Sequence, residues 1–177
     1  MSSVIISGDT SGSITLSAPA VSGTNTATLP AATGTVMVSG NMPAFSAYAS
    51  SATAMANNTN TKIAFQTKEY DTASAYDNAT NYRFTPQVAG YYQVNSGVAA
   101  NFTLGESTIY IYKNGSRVKT GIDAATAIYQ IIISAQIYLN GSTDYIEIYV
   151  YQGTGSSLNT QTGSSAVYFQ AAMIRSA

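Results

Sequence analysis

Tyr145-Ile146-Glu147-Ile148-Tyr149-Val150-Tyr151 is the stretch that decides the fold class. Ile146, Ile148 and Val150 share one face, and Tyr145, Glu147, Tyr149 and Tyr151 share the other. A period of two belongs to a half-buried β-strand, whose successive side chains point to opposite sides of a sheet. Thr108 to Tyr112 repeats the pattern, with Ile109 and Ile111 opposed to Tyr110 and Tyr112. Tyr92 to Phe102 carries Val94, Val98 and Phe102 on one side. Near the end, Val167, Phe169, Ala171 and Met173 alternate with Tyr168, Gln170, Ala172 and Ile174. The β-branched and aromatic residues in these runs suit a pleated surface. Asn114-Gly115 and Asn140-Gly141 are expected to form tight hairpins, because these residues accept positive φ. Gly153 to Gly163 reads as a long polar loop, and Ala49 to Ala56 has room for one helical turn at most. Short strands with frequent turn signals predict an all-β, antiparallel fold, that is, a sandwich, a barrel or a jelly roll.

Composition narrows the function. Only 8% of the 177 residues are charged, against about 25% in ordinary soluble proteins. The net charge of −1 supplies no field for nucleic acid or an anionic membrane, so neither is an expected partner. No run approaches the ~20 apolar residues of a membrane-spanning helix. With no His and no Cys, the commonest general base, the thiolate metal sites and disulfides are excluded. The acids are Asp9, Glu69, Asp71, Asp77, Glu106, Asp123, Asp144 and Glu147, and none sits in a nucleophile-elbow, phosphate-loop or zinc motif. No catalytic residue and no cofactor is expected, and the chain is read as non-enzymatic. Asp71, Asp77, Asn78 and Asn81 share one oxygen-rich stretch but lack the alternation and glycine of a calcium loop; Asp and Asn are expected there as turn formers.

The first 40 residues differ from the rest. They contain no aromatic residue, and Ile14-Thr15-Leu16, Ala27-Thr28-Leu29 and Val36-Met37-Val38 are short strand candidates separated by Gly, Pro, Ser and Thr. Such a segment has too little apolar bulk to fold alone. The sequence therefore divides into an N-terminal arm, 1–42, and a β domain, 43–177. The start, Met1-Ser2-Ser3-Val4-Ile5-Ile6, has no basic region followed by a long apolar one, so no secretory signal is expected.

From about Pro43 onward the chain resembles the globular head of complement component q, which shares the tumour-necrosis-factor jelly roll. Tyr82-Arg83-Phe84-Thr85-Pro86-Gln87-Val88-Ala89-Gly90-Tyr91-Tyr92 is similar to that family's aromatic, Pro-containing corner and Gly-Tyr pair. Lys113-Asn114-Gly115, Leu139-Asn140-Gly141-Ser142-Thr143-Asp144 and the closing run Ala166 to Ile174, with Phe169 at its centre, follow in the family's order. Ser142-Thr143 splits the usual Gly-Asp pair, Ala171 replaces a usual Gly, and no collagen-like stem precedes the domain. The resemblance implies an antiparallel jelly-roll sandwich that is homotrimeric, with the closing strand near the threefold axis. Residues 12–36, from Gly12-Ser13-Ile14-Thr15-Leu16 to Gly34-Thr35-Val36, resemble a short N-terminal element of small tailed-phage structural proteins.

Together these readings imply a phage virion surface protein, made in the host cytoplasm and released by lysis. The expected role is a capsid decoration or head-fibre trimer docked by its arm on the major capsid protein through Ile14, Leu16, Val21, Leu29 and Val36. The alternative is a tail-fibre tip that binds a host-surface receptor or glycan, with a tail or fibre protein as its partner. Tyr110, Tyr112, Tyr149, Tyr151 and Phe169 are the expected trimer-interface residues, because Tyr combines a flat apolar face with a hydroxyl.

Overall fold

The computed structural model describes every residue except 1, 2, 22, 29, 30, 32, 35, 103, 104 and 125–127, together with all but the side chain of 128. Two compact units are present, Met1–Gly34 and Thr35–Ala177. Residues 36–42, assigned above to the arm, thus fall in the second unit, where Met37 packs against the core.

The first unit is one antiparallel hairpin of β1 (Ser3–Ser7) and β2 (Ser13–Ser17). The second unit holds β3 (Ala44–Tyr48), β4 (Ala54–Met55), β5 (Thr59–Lys62), β6 (Thr67–Asp71), β7 (Tyr76–Asp77), β8 (Arg83–Phe84) and β9 (Ala89–Phe102). It continues with β10 (Ser107–Lys113), β11 (Ser116–Ala124), β12 (Ile128–Asn140), β13 (Ile146–Gln152), β14 (Leu158–Asn159) and β15 (Val167–Ser176). A single 3₁₀ turn, Ser39–Asn41, is the one helical element among the described residues. Val36-Met37-Val38 makes no strand, and neither do Ala27 and Thr28.

Two sheets face each other. One runs β12-β9-β15-β3-β6; the other runs β11-β10-β13-β8-β7, with β5 also paired to β13. Every strand pair is antiparallel. The chain changes sheet at most connections. This explains why Asn140-Gly141 is not a hairpin: β12 and β13 lie in different sheets, and residues 141–145 carry the chain across. Asn114-Gly115 does turn a hairpin, with φ of 52° and 79°, the doubly positive pair of a type I′ turn. The stretch from Gly153 to Gly163 is more structured than a polar loop. Leu158 and Asn159 pair with Met55 and Ala54, and the fully buried Gln152 side chain donates to the carbonyls of Met55 (3.0 Å) and Ser156 (2.9 Å).

The core lies between the sheets, where the alternation found in sequence closes. Ile109, Ile111, Ile146, Ile148 and Val150 meet Val94, Val98, Ile131, Val167 and Phe169, all fully buried. At one end the contact is aromatic. Phe45 of β3 stacks on Tyr76 of β7 at 4.7 Å and on Phe84 of β8 at 4.5 Å, and meets Phe169 of β15 edge-on at 4.9 Å. Phe65 and Tyr92 extend the cluster. Phe169 is therefore core and is unavailable to a neighbouring subunit, which corrects its assignment to a trimer interface. The closing strand presents Phe169 inward because its partners in register, Ser96 of β9 and Ala47 of β3, are small inward-facing residues that leave room for a ring. Phe169→Ala should cost about 3–5 kcal/mol of stability by cavity formation, measured as a fall in the urea midpoint at unchanged m-value.

Candidate assembly surface

The face of the β12-β9-β15-β3-β6 sheet turned away from the core carries an ordered pattern. A polar row crosses all five strands: Ser134, Asn95, Gln170, Ser46 and Glu69. Its members hydrogen-bond to one another in two groups within the chain. The Ser134 hydroxyl donates to Asn95 Oδ1 at 2.8 Å, Gln170 Nε2 to Ser46 Oγ at 3.1 Å, and Ser46 Oγ to the Glu69 carboxylate at 2.6 Å. Gln93 adds a donor to Ser134 Oγ at 3.0 Å. Apolar and aromatic groups lie on either side of the row. Ile132, Gly97, Tyr168 and Tyr48 form one neighbouring row in register. Tyr91 and Tyr138, with ring centres 5.5 Å apart, lie on the other side with Ile174. Ile132, Tyr91, Tyr138 and Ile174 are each between 42% and 48% exposed, although all four lie within the paired strands of the sheet. Gly97 matters here, because a Cβ on it would strike the Tyr168 ring at 2.7 Å. The ring lies flat over the strand in its place. A shallow hollow lined by Ile132, Ser134, Asn95, Tyr168 and Gln170 opens beside it.

The predicted tyrosines are on the opposite sheet. Tyr110, Tyr112, Tyr149 and Tyr151 do point away from the core, but their rings are largely occupied within the protomer. Tyr112 and Tyr149 stack at 4.2 Å, Arg117 lies over the Tyr110 ring at 4.9 Å, and the Tyr151 hydroxyl donates to Asn58 Oδ1 at 3.3 Å. Tyr110 is 5% exposed, with Arg117 reaching across from β11 above it. Burial raises the pKa of Tyr149, helped by the Glu147 charge, which itself pairs with Lys62 at 2.9 Å. With Phe169 inside the core, the five residues do not form one surface.

The signal missed in sequence was the outward set of the other sheet. Ile132, Tyr138 and Ile174 alternate with buried residues that are equally apolar, so both faces of β12 and β15 read as hydrophobic.

Asp71, Asp77 and Asp144 serve turns rather than a common site. Asp77 accepts from the backbone N–H groups of Thr80 and Ala79 at 3.0 Å and from the Asn81 side chain at 2.7 Å. These bonds, chiefly those from Thr80 and Ala79, hold its pKa well below the usual carboxylate range. Asp71 accepts from the backbone of Ala75 and Tyr76 instead, so the two carboxylates are committed to separate turns. Asp144 ties together the two Asn-Gly motifs seen in the sequence. It pairs with Lys113 at 2.7 Å and accepts from Asn114 Nδ2 at 2.7 Å and from the Asn140 backbone at 3.0 Å. Gly141, at φ 70°, lies so close to the Val88–Ala89 backbone that no Cβ fits.

In the N-terminal unit, Ile14 and Leu16 stand on β2 and are exposed, as is Val21 in the segment that follows. Leu29 lies outside the described residues. Val36 is also exposed but belongs to the second unit.

No family model matches the sequence, and no curated protein matches it. Solved structures do match in fold. The globular domain of zebrafish complement 1qA protein is 16% identical, with a TM-score of 0.57 over 76% of this chain and 99% of its own. Murine APRIL is 9% identical, with a TM-score of 0.55 over 75% of this chain and 99% of its own. PRD1 vertex protein P5 is 17% identical, with a TM-score of 0.56 over 75% of this chain and 72% of its own. The fold is thus the all-β, antiparallel jelly roll of the complement-q and tumour-necrosis-factor type.

Lys113 lowers the pKa of Asp144, aided by the bonds from Asn114 and Asn140. A depressed carboxylate stabilises the fold above its unfolded pKa of about 3.9 and loses that contribution as pH falls through the folded value. Stability should therefore be level from neutral to mildly acidic pH and drop below about pH 4. Asp144→Asn should cost about 1–3 kcal/mol at neutral pH and flatten part of the acid limb, read by urea titration across pH.

Proposed function

We propose that this protein is a non-enzymatic structural component of a phage virion, working as a homotrimer closed through the outward face of the β12-β9-β15-β3-β6 sheet. The observation that carries the reading is the pattern on that face. Its polar row is already hydrogen-bonded within one protomer, while Ile132, Tyr91, Tyr138 and Ile174 beside it are left half-exposed. Covering such a face with copies of itself removes apolar surface from water, while the row keeps the hydrogen bonds it makes within one protomer. Closed cyclic symmetry needs no further partner to cap the assembly. The closing strand β15 lies inside this sheet, in keeping with the place near the threefold axis that the resemblance implies for it.

The fold likeness to a phage vertex protein supports a place on the virion surface, and 8% charge supports a surface that mostly meets other protein. The specific role we favour is capsid decoration or a head fibre, with the N-terminal unit toward the particle. Cryo-electron microscopy of the particle, with density at threefold sites of the head, is the expected result; density confined to the tail would overturn that role.

Light scattering on the purified chain should give three times the protomer mass, little changed in molar salt, because an apolar interface is barely screened. Ile132→Asp combined with Tyr138→Asp should leave a folded monomer. A wild-type monomer at micromolar concentration would sink the proposal.

A further inference from the structure

The N-terminal hairpin is amphipathic in an unusually complete way. Val4 pairs with Leu16 and Ile6 with Ile14, so four aliphatic side chains form one face. Ser3, Ser7, Ser13, Thr15 and Ser17 surround Ile5 on the other face. Val4, Ile6, Ile14 and Leu16 are 54–66% exposed. A lone two-stranded hairpin is at best marginally stable in water, and among the described residues of its own unit no second layer covers its aliphatic face.

The sequence after β1 is also an internal repeat. Thr15-Leu16-Ser17-Ala18-Pro19-Ala20-Val21-Ser22-Gly23-Thr24 is followed by Thr28-Leu29-Pro30-Ala31-Ala32-Thr33-Gly34-Thr35. The order Thr-Leu, then Pro-Ala, then Ser/Thr-Gly-Thr occurs twice, with the second copy shorter by Ser17-Ala18. So short a segment, even with its pattern repeated, cannot build a core of its own and needs another surface to cover its apolar side chains. Charge points the same way. Asp9, in the hairpin turn, is the one ionisable side chain among residues 1–34, so identical segments meet without repulsion and offer nothing to a charged partner.

We propose that the aliphatic face of Val4, Ile6, Ile14 and Leu16 is covered by the same face of the other two copies, so that the N-terminal units of a trimer join in a threefold β stalk. This rests on the trimer proposed above. Three arms tethered to one trimeric body face one another at an effective concentration of about millimolar, far above any free partner. The serine- and threonine-rich face and the strand edges then remain outward for the rest of the particle.

The chain contains no Cys, so a single introduced thiol reports position cleanly. In the full-length protein, Leu16→Cys treated with a short bis-maleimide should give covalently linked copies on a denaturing gel. Thr15→Cys, on the opposite face, should give at least about tenfold less, because only thiols held together react at such effective concentrations. Light scattering on the same samples separates the two ideas. A trimer in which Leu16→Cys fails to link, or links no better than Thr15→Cys, would overturn the stalk and leave the trimer standing. A monomer by light scattering would overturn both.

Discussion

The contact of Phe45 with Tyr76, Phe84 and Phe169 is the constraint on which the sandwich depends. Phe45 and Phe169 come from neighbouring strands of one sheet, and Tyr76 and Phe84 from paired strands of the other. Stacked and edge-on rings at 4.5–4.9 Å fix the relative placement of two sheets more sharply than aliphatic packing does, because each ring accepts only a few approach directions. In a chain without disulfides and with few ion pairs, most of the remaining cohesion is apolar burial. Tyr92 closes one side of this cluster against Phe84. Its hydroxyl is satisfied by donating to the Val88 carbonyl at 2.7 Å, and burial raises its pKa to about 12.

Once the sheets are locked in this way, their outer faces acquire different characters. The outer face of β10 and β13 is finished within the protomer, by ring stacking, by Arg117 and by the Lys62–Glu147 pair. The outer face of β12, β9 and β15 has a hydrogen-bonded polar row and leaves its large apolar groups open. That asymmetry separates an outer face finished by its own contacts from one whose large apolar groups stay open. It arises because Gly97 lets Tyr168 lie flat, and because Ser46, Asn95 and Ser134 are short enough to bond sideways along the sheet.

Much of the fold was legible along the chain. The runs at 92–102, 108–112, 146–151 and 167–174 all lie in strands with the inward residues that their alternation implied. Asn114-Gly115 turned as its chemistry requires. The misses share a cause. β1 was overlooked because Val4-Ile5-Ile6 is a continuous apolar run, and only its pairing with Ile14 and Leu16 divides it into two faces. Asn140-Gly141 was mistaken for a hairpin because dipeptide chemistry reports local backbone angles, not which sheet the next strand joins. The pairing of Leu158-Asn159 with Met55 spans about a hundred residues and leaves no local trace.

By itself, then, the sequence determined the class: antiparallel β throughout, a poorly charged surface, and an N-terminal segment unlike the rest. Those properties follow from periodicity and composition, which are local or additive. Only the tertiary structure decided which of two apolar faces closes the core and which stays open. In β12, Ile131 and Ile133 are buried while Ile132 between them is half-exposed, and no property of isoleucine distinguishes them. The choice is made by the opposing sheet, which covers one side of a strand and leaves the other to water or to a neighbouring subunit.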